Sequence, residues 1–197
     1  MMTKESKKKY SDNYFEIINK YKNFHTQGTK KLRPDQTFKG YSLLSWIEQI
    51  KKIINYHECN SLIDFGCGKA VPYNGKLTVN NVEYVNVKEY WNINNIQLYD
   101  PSVELFNKYP RKKADGVICT DVIEHIPEED IFIFIDDIFQ LANKFVFIVI
   151  ATIPASKIFD DGRNIHLCLK NKKEWSIIFK EYKKKYKSIS QYIEFNE

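Results

Sequence analysis

SLIDFGCGKA, residues 61–70, is an apolar run that ends in a glycine-rich turn. The pattern predicts a buried strand over 61–65 that feeds a nucleotide-binding loop. Gly66 lets the backbone turn tightly at the strand end. Gly68 lets a ligand approach backbone that carries no Cβ. Ala70 is small enough for a following element to pack closely. Taken alone, the pattern also suits an ordinary strand-to-helix turn, with Asp64 as an acidic cap on it.

The order of the next two segments separates these readings. A second apolar run, NIQLYDPS (95–102), ends in Asp100, and a third segment, ADGVICTDVIEHIPEED (114–130), comes after it. Together the three resemble the first, second and fourth strand motifs of the class I S-adenosylmethionine (SAM)-dependent methyltransferases. The resemblance rests on D-x-G-C-G-x-A, Y-D-P and D-G-V-x-x-x-D-V-I-E-H-I, and covers roughly residues 40–155. Dinucleotide folds that transfer hydride share the glycine loop, but not the D-V-I-E-H-I segment. The resemblance implies a three-layer α/β, Rossmann-like methyltransferase fold. Its sheet would be mostly parallel and reduced, with an N-terminal helical cap and an inserted lid.

Spacing carries the departures from that family. Asp64 and Asp100 are 36 positions apart, whereas about 20 usually separate a glycine loop from its ribose carboxylate. Residues 72–95 are therefore expected to be an insertion, with Asn74-Gly75 as a hairpin turn. Its Tyr73, Tyr84, Tyr90 and Trp91 would form an aromatic wall over the strand ends. Between Asp100 and Asp115 a helix–strand–helix passage does not fit, so the family's third strand is expected to be missing or a stub.

Around this core the periodicity predicts a helix over 13–24, from Tyr14, Phe15, Ile18 and Tyr21. A loop over 25–41 and a helix over 42–57 capped by Ser42 come next. Farther on come a strand at 115–119, a helix after Pro127, a strand at 145–151, a helix at 172–185 and a last strand near 188–194. The division expected is a tail, helix and cap loop over 1–41, with 1–12 a disordered Lys-rich tail. A SAM-binding α/β domain would cover 42–197, interrupted by 72–95.

The resemblance also implies roles. SAM is the cofactor, lying over the carboxyl ends of the strands. Asp64 would orient the loop and the methionine amino group; Gly66, Cys67 and Gly68 would supply backbone contact. Asp100, with Pro101, would hold the ribose, since a carboxylate can accept from both vicinal hydroxyls; on the residues alone, Asp100 before Pro101 is also a common turn pair. Thr120, Asp121 and Val122 would face the sulfur and methyl. Asp121, His125 and His166 are the catalytic candidates, though a turn aspartate and structural histidines are the plainer readings. Arg33, Gln36, Phe38 and Tyr41, ahead of the helix at 42, would close the site together with Tyr73 and Trp91.

Composition narrows the function. The chain has 197 residues, 43% hydrophobic and 15% aromatic, which is one domain with a real core. The net charge of +5 comes almost wholly from Lys. Arg, the preferred residue for bidentate phosphate and guanine contacts, occurs only at 33, 111 and 163. Nucleic acid is therefore not the expected partner, and a small-molecule acceptor is. Neither the D/N-P-P-Y tetrad of amino-group DNA methylases nor the Pro-Cys of cytosine methylases is present.

The start, MMTKESKKKYSDNY, has no apolar stretch of a secretory signal, and a cytoplasmic protein without membrane association is expected. Cys59, Cys67, Cys119 and Cys168 are isolated and predicted to be reduced, buried thiols. No metal site is expected, because Asp and Glu do not gather with His at ligand spacing in the sequence. The readings are a SAM-dependent methyltransferase, another SAM-using enzyme such as one cleaving the sulfonium, a non-catalytic SAM-fold module, and an RNA methylase.

Overall fold

The computed structural model describes residues 10–29 and 31–197. Most of the tail expected over 1–12 lies outside them.

The apolar run FVFIVIA (145–151) ends the interior strand β6 (Ala142–Ala151), with all seven of its side chains buried, as for a parallel strand covered on both faces. With β1 (Ser61–Phe65), β4 (Asn95–Tyr99), β5 (Ala114–Thr120) and β7 (Ser190–Asn196) it builds a five-stranded sheet of order β4-β1-β5-β6-β7. Every neighbouring pair in it is parallel. β4 is an edge. The stretch after it, where a third strand of the family pattern would run, holds only a short 3-10 turn at Glu104–Phe106.

Alternation along the strands feeds two apolar layers. Ile63, Phe65, Val117, Cys119 and Val146 pack under α4 (Ile131–Leu141) and α5 (Lys172–Lys185). Leu62, Ile118, Phe145 and Phe147 pack under α2 (Ile47–Tyr56) and α3 (Val87–Trp91). The result is the expected three-layer, parallel α/β fold. All four cysteines are free and buried. No helix among the described residues is long and apolar enough to cross a membrane.

The N-terminal helix α1 (Asp12–Gln27) starts where Ser11 accepts the Tyr14 N–H. Ser11 also donates through N and Oγ to Asp130 at 2.9 and 2.5 Å, which pins the helix to the entrance of α4. Tyr10 donates to the Asp137 carboxylate at 2.6 Å.

Three local expectations change. Ser42 caps no helix: a 3-10 turn over Tyr41–Trp46 precedes α2, its N-cap is Gly40 in the left-handed region, and the Ser42 hydroxyl sits 3.5 Å from that of Thr120. The hairpin in the insertion, β2 (Leu77–Val79) with β3 (Val82–Tyr84), turns at Asn80-Asn81 and not at Asn74-Gly75. Both asparagines have positive φ, 51° and 63°, as the tight turn that matches strand twist requires.

The third change concerns the insertion as a lid. Trp91 is 1% exposed, donates from Nε1 to the Ile47 carbonyl at 2.9 Å and meets Tyr73 edge-on. Tyr84 and Tyr90 meet edge to face, and the Lys51 ammonium of α2 lies over both rings. The rings pack into the same apolar cluster as Ile47, Ile50, Ile53 and Ile54 of α2, so 72–95 buttresses that helix.

Candidate ligand site

The glycine turn is drawn onto the end of β4. The N–H groups of Gly66 and Cys67 both donate to the Tyr99 carbonyl, at 2.7 and 3.1 Å. Gly68 N–H donates to Asp100 Oδ2 at 3.0 Å, while Asp100 Oδ1 accepts from the N–H and hydroxyl of Ser102 at 2.8 and 2.6 Å. A carboxylate offers about four lone-pair sites, and three are used here. One acceptor position remains on the oxygen that holds Gly68.

The cap is fastened to the same turn. Lys69 N–H donates to the Phe38 carbonyl at 2.9 Å and Val71 N–H to Lys39 at 3.0 Å. The Lys69 ammonium donates to the carbonyl and hydroxyl of Thr37 and to His25 Nδ1 on α1, at 3.0, 2.8 and 2.9 Å. Burial holds His25 near pKa 4, with Asp100 opposing and Lys69 adding to the shift, so His25 is neutral and can accept. Tyr21, Phe24, Phe38 and Phe159 form an aromatic cluster that joins α1, the cap loop and the loop after β6.

Between cap and strand ends lies a cavity of about 430 Å3, within the ordinary range for small-molecule sites. Of the residues singled out from sequence, Gly66, Gly68, Asp100, Pro101, Thr120, Asp121, Val122, His125, His166, Phe38 and Tyr41 line it. The others do not. Asp64 is buried behind the turn and accepts from the Tyr73 hydroxyl at 2.8 Å. Burial pushes its carboxyl up to about 7, against the pull of that hydrogen bond. Cys67 points into the core. Arg33 and Gln36 cap a local turn. Tyr73 and Trp91 support α2.

Sequence reading missed the inner wall supplied by α1: Tyr14, Ile17, Ile18, Tyr21 and His25 line the cavity. Their helical spacing was visible, but spacing shows which face is buried and not what it covers. Lys157 and Ser156, from the loop after β6, also line it.

One wall is polar. Asp121, at φ 54°, leaves β5 with its N–H donating to the Val149 carbonyl at 3.0 Å, and its Oδ1 accepts from Asn196 of β7 at 2.6 Å. Burial raises its carboxyl, and the Asn196 bond opposes the rise. The 3-10 turn Ile123–His125 then carries Glu124 and His125. Glu124 accepts from the Ala151 N–H at 3.1 Å, and burial lifts it to about 8. His125 Nδ1 lies 2.9 Å from the Ile165 carbonyl and 2.7 Å from the Tyr21 hydroxyl; burial, then His166, lowers it to about 3.

His166 packs edge-on against His125, with ring centroids 4.7 Å apart, and burial lowers its pKa. This wall gathers what the sequence spacing does not: among the described residues Glu124, His125 and His166 bring ligand atoms within 4.8 Å of one another. The gathering depends on the loop after β6 bringing His166 back 41 positions after His125, which no local spacing could reveal.

No family model and no curated protein matches the chain. Among solved structures, a DhpI–SAH complex is similar, with TM-score 0.47 and 15% identity over 87% of this chain and 88% of that one.

Proposed function

We propose that the chain is a SAM-dependent methyltransferase acting on a small-molecule acceptor. The observation that carries the reading is the convergence of Gly66, Gly68, Asp100, Thr120, Asp121 and Val122 on one cavity at the carboxyl ends of β1, β4 and β5. That is where open parallel sheets take ligands. The same residues are the ones the motif resemblance implies from sequence alone.

In this reading Asp100 receives the ribose through its remaining acceptor position. The aromatic wall comes from Tyr14 and Tyr21 of α1 and not from the insertion. The methyl of SAM is already activated, so the chain has to align an acceptor behind it and take up a proton. Asp121, His125 and His166 face that end. The cap of α1 and residues 37–42 favours an acceptor that fits inside the cavity over a polymer.

The test is calorimetric titration with S-adenosylhomocysteine, followed by mass spectrometry of SAM incubations with candidate acceptors. Binding in the micromolar range and acceptor-dependent S-adenosylhomocysteine are expected. Methylthioadenosine formed without acceptor would make it a sulfonium-cleaving enzyme, and absence of any binding would remove SAM altogether.

A further inference from the structure

Glu124, His125 and His166 share an arrangement that neither the glycine turn nor the cap explains. Each has one polar atom fixed by backbone. Glu124 accepts the Ala151 N–H at 3.1 Å; His125 Nδ1 faces the Ile165 carbonyl at 2.9 Å, and His166 Nδ1 faces the Ile153 carbonyl at 2.6 Å. A carbonyl only accepts, so each of these contacts is a hydrogen bond only with the imidazole proton on Nδ1; at His125 the Tyr21 hydroxyl, 2.7 Å from the same nitrogen, then shares that N–H as an acceptor. Their Nε2 atoms are left as lone-pair donors. This backbone anchoring of the second ring nitrogen is what metal-ligating histidines use to fix tautomer and orientation.

The carboxylate supplies an independent sign. Glu124 is 0% exposed, yet its Oε2 has no hydrogen-bond partner. Buried polar atoms are nearly always paired, and an acidic side chain is seldom buried without a partner. One ring nitrogen of each histidine and one carboxylate oxygen of Glu124 already lie within 4.8 Å of one another. Bonds of about 2.0–2.2 Å need donor separations of roughly 3–3.5 Å, so the three side chains would close in on a bound ion.

We propose that Glu124, His125 and His166 bind one divalent first-row transition-metal ion in the polar wall of the cavity, beside Asp121. Two imidazoles with one carboxylate suit zinc, cobalt, manganese or iron, whereas magnesium and calcium prefer all-oxygen sets. His125 and His166 line the cavity, so the open coordination positions face it.

The ion's role rests on the methyltransferase reading. It would hold an acceptor hydroxyl and lower its pKa. The hydroxyl proton passes to Asp121. The oxygen lone pair then forms the O–CH3 bond while the C–S bonding pair returns to sulfur, leaving S-adenosylhomocysteine. The acceptor class is accordingly an oxygen nucleophile able to ligate a metal.

Metal binding is tested apart from SAM. The chelator-stripped full chain is titrated with Co2+, following its visible ligand-field absorption, with Zn2+ as competitor and no cofactor present. One equivalent is expected to bind and to be displaced by Zn2+. Glu124→Gln and His166→Ala, checked for folding by thermal melting, are each expected to weaken binding at least about tenfold, the lower end of what even a supporting residue contributes. If Glu124→Gln fails to fold, His166→Ala, on a half-buried loop position, decides. No ligand-field band in wild type, or unchanged affinity in the folded variants, overturns the proposal. S-adenosylhomocysteine binding is read separately by calorimetry, so either reading can fail without the other.

Discussion

The carbonyl oxygen of Phe38 lies 2.5 Å from the point a Cβ on Gly68 would occupy. The glycine turn is therefore closed from outside by the chain's own cap loop, and Gly40 meets the Cys67 carbonyl in the same way at 2.7 Å. Two loops distant in sequence interlock through positions that tolerate no side chain. The freedom read into Gly68 from sequence, close approach of a ligand, is used here for close approach of the cap.

Gly68→Ala should thus loosen the cap before it touches any ligand. The position has φ +54°, and non-glycine residues in that region cost on the order of 1–3 kcal/mol, to which the clash with Phe38 adds. Denaturant unfolding is expected to show at least that loss, with faster limited proteolysis between residues 28 and 41. Full stability with unchanged proteolysis would mean the two loops do not interlock in solution.

Asp100 links the turn to β4 and keeps one acceptor site for ligand. Asp100→Ala is expected to weaken S-adenosylhomocysteine binding by about 1.5–3 kcal/mol, the scale of a charge-assisted hydrogen bond left unmade. Asp100→Asn, which retains one acceptor oxygen for Ser102, should keep the fold while still losing affinity. Calorimetry on both variants checks this, and equal dissociation constants would make Asp100 a turn residue only.

Much of the frame was legible. β1 matches its apolar run residue for residue, and α5 covers the expected 172–185, capped by Asn171 with Glu174 completing the capping box. Asp100 and Thr120–Val122 reach the cavity because a parallel strand order puts all carboxyl ends on one side. The illegible part depends on long-range choice. The rings of 72–95 could have covered either the strand ends or α2, and their sequence is the same in both cases. Likewise His166 meets Glu124 only through tertiary folding, and the stripe on α1 does not announce that it faces a cavity.

The buttress role of the insertion has a direct consequence. Trp91→Ala removes a ring that is 1% exposed together with its hydrogen bond to Ile47. A loss of about 3–5 kcal/mol is expected, as for other large-to-small core changes. Hydrogen exchange over 72–95 should be indifferent to S-adenosylhomocysteine, while residues 14–25 and 38–42 become protected. Protection that instead appears across 72–95 on binding would restore the lid.

Asp64 should make stability depend on pH. Burial raises its carboxyl from 3.8 to about 7 in the folded chain, with Asp100 adding to the rise and the Tyr73 hydrogen bond opposing it. Between those values the folded state keeps a proton that the unfolded state has released. Unfolding free energy changes with pH as the protons bound in the unfolded state minus those in the native state, a negative difference here. Asp64 thus stabilises fully below its unfolded pKa, and the stabilisation is lost as pH rises towards 7. Asp64→Asn keeps an acceptor for Tyr73 and cannot titrate. The stability of the variant relative to wild type should therefore climb between about pH 4 and 7, by up to about 4 kcal/mol at 1.36 kcal/mol per unit, then level off. Other titrating groups, His25 among them, are common to both proteins and cancel in the difference. Parallel denaturant titrations of the two proteins at pH 4.5, 6 and 7.5 measure it. A difference that stays flat over this range would mean that Asp64 is ionised in the folded chain, contrary to the burial argument.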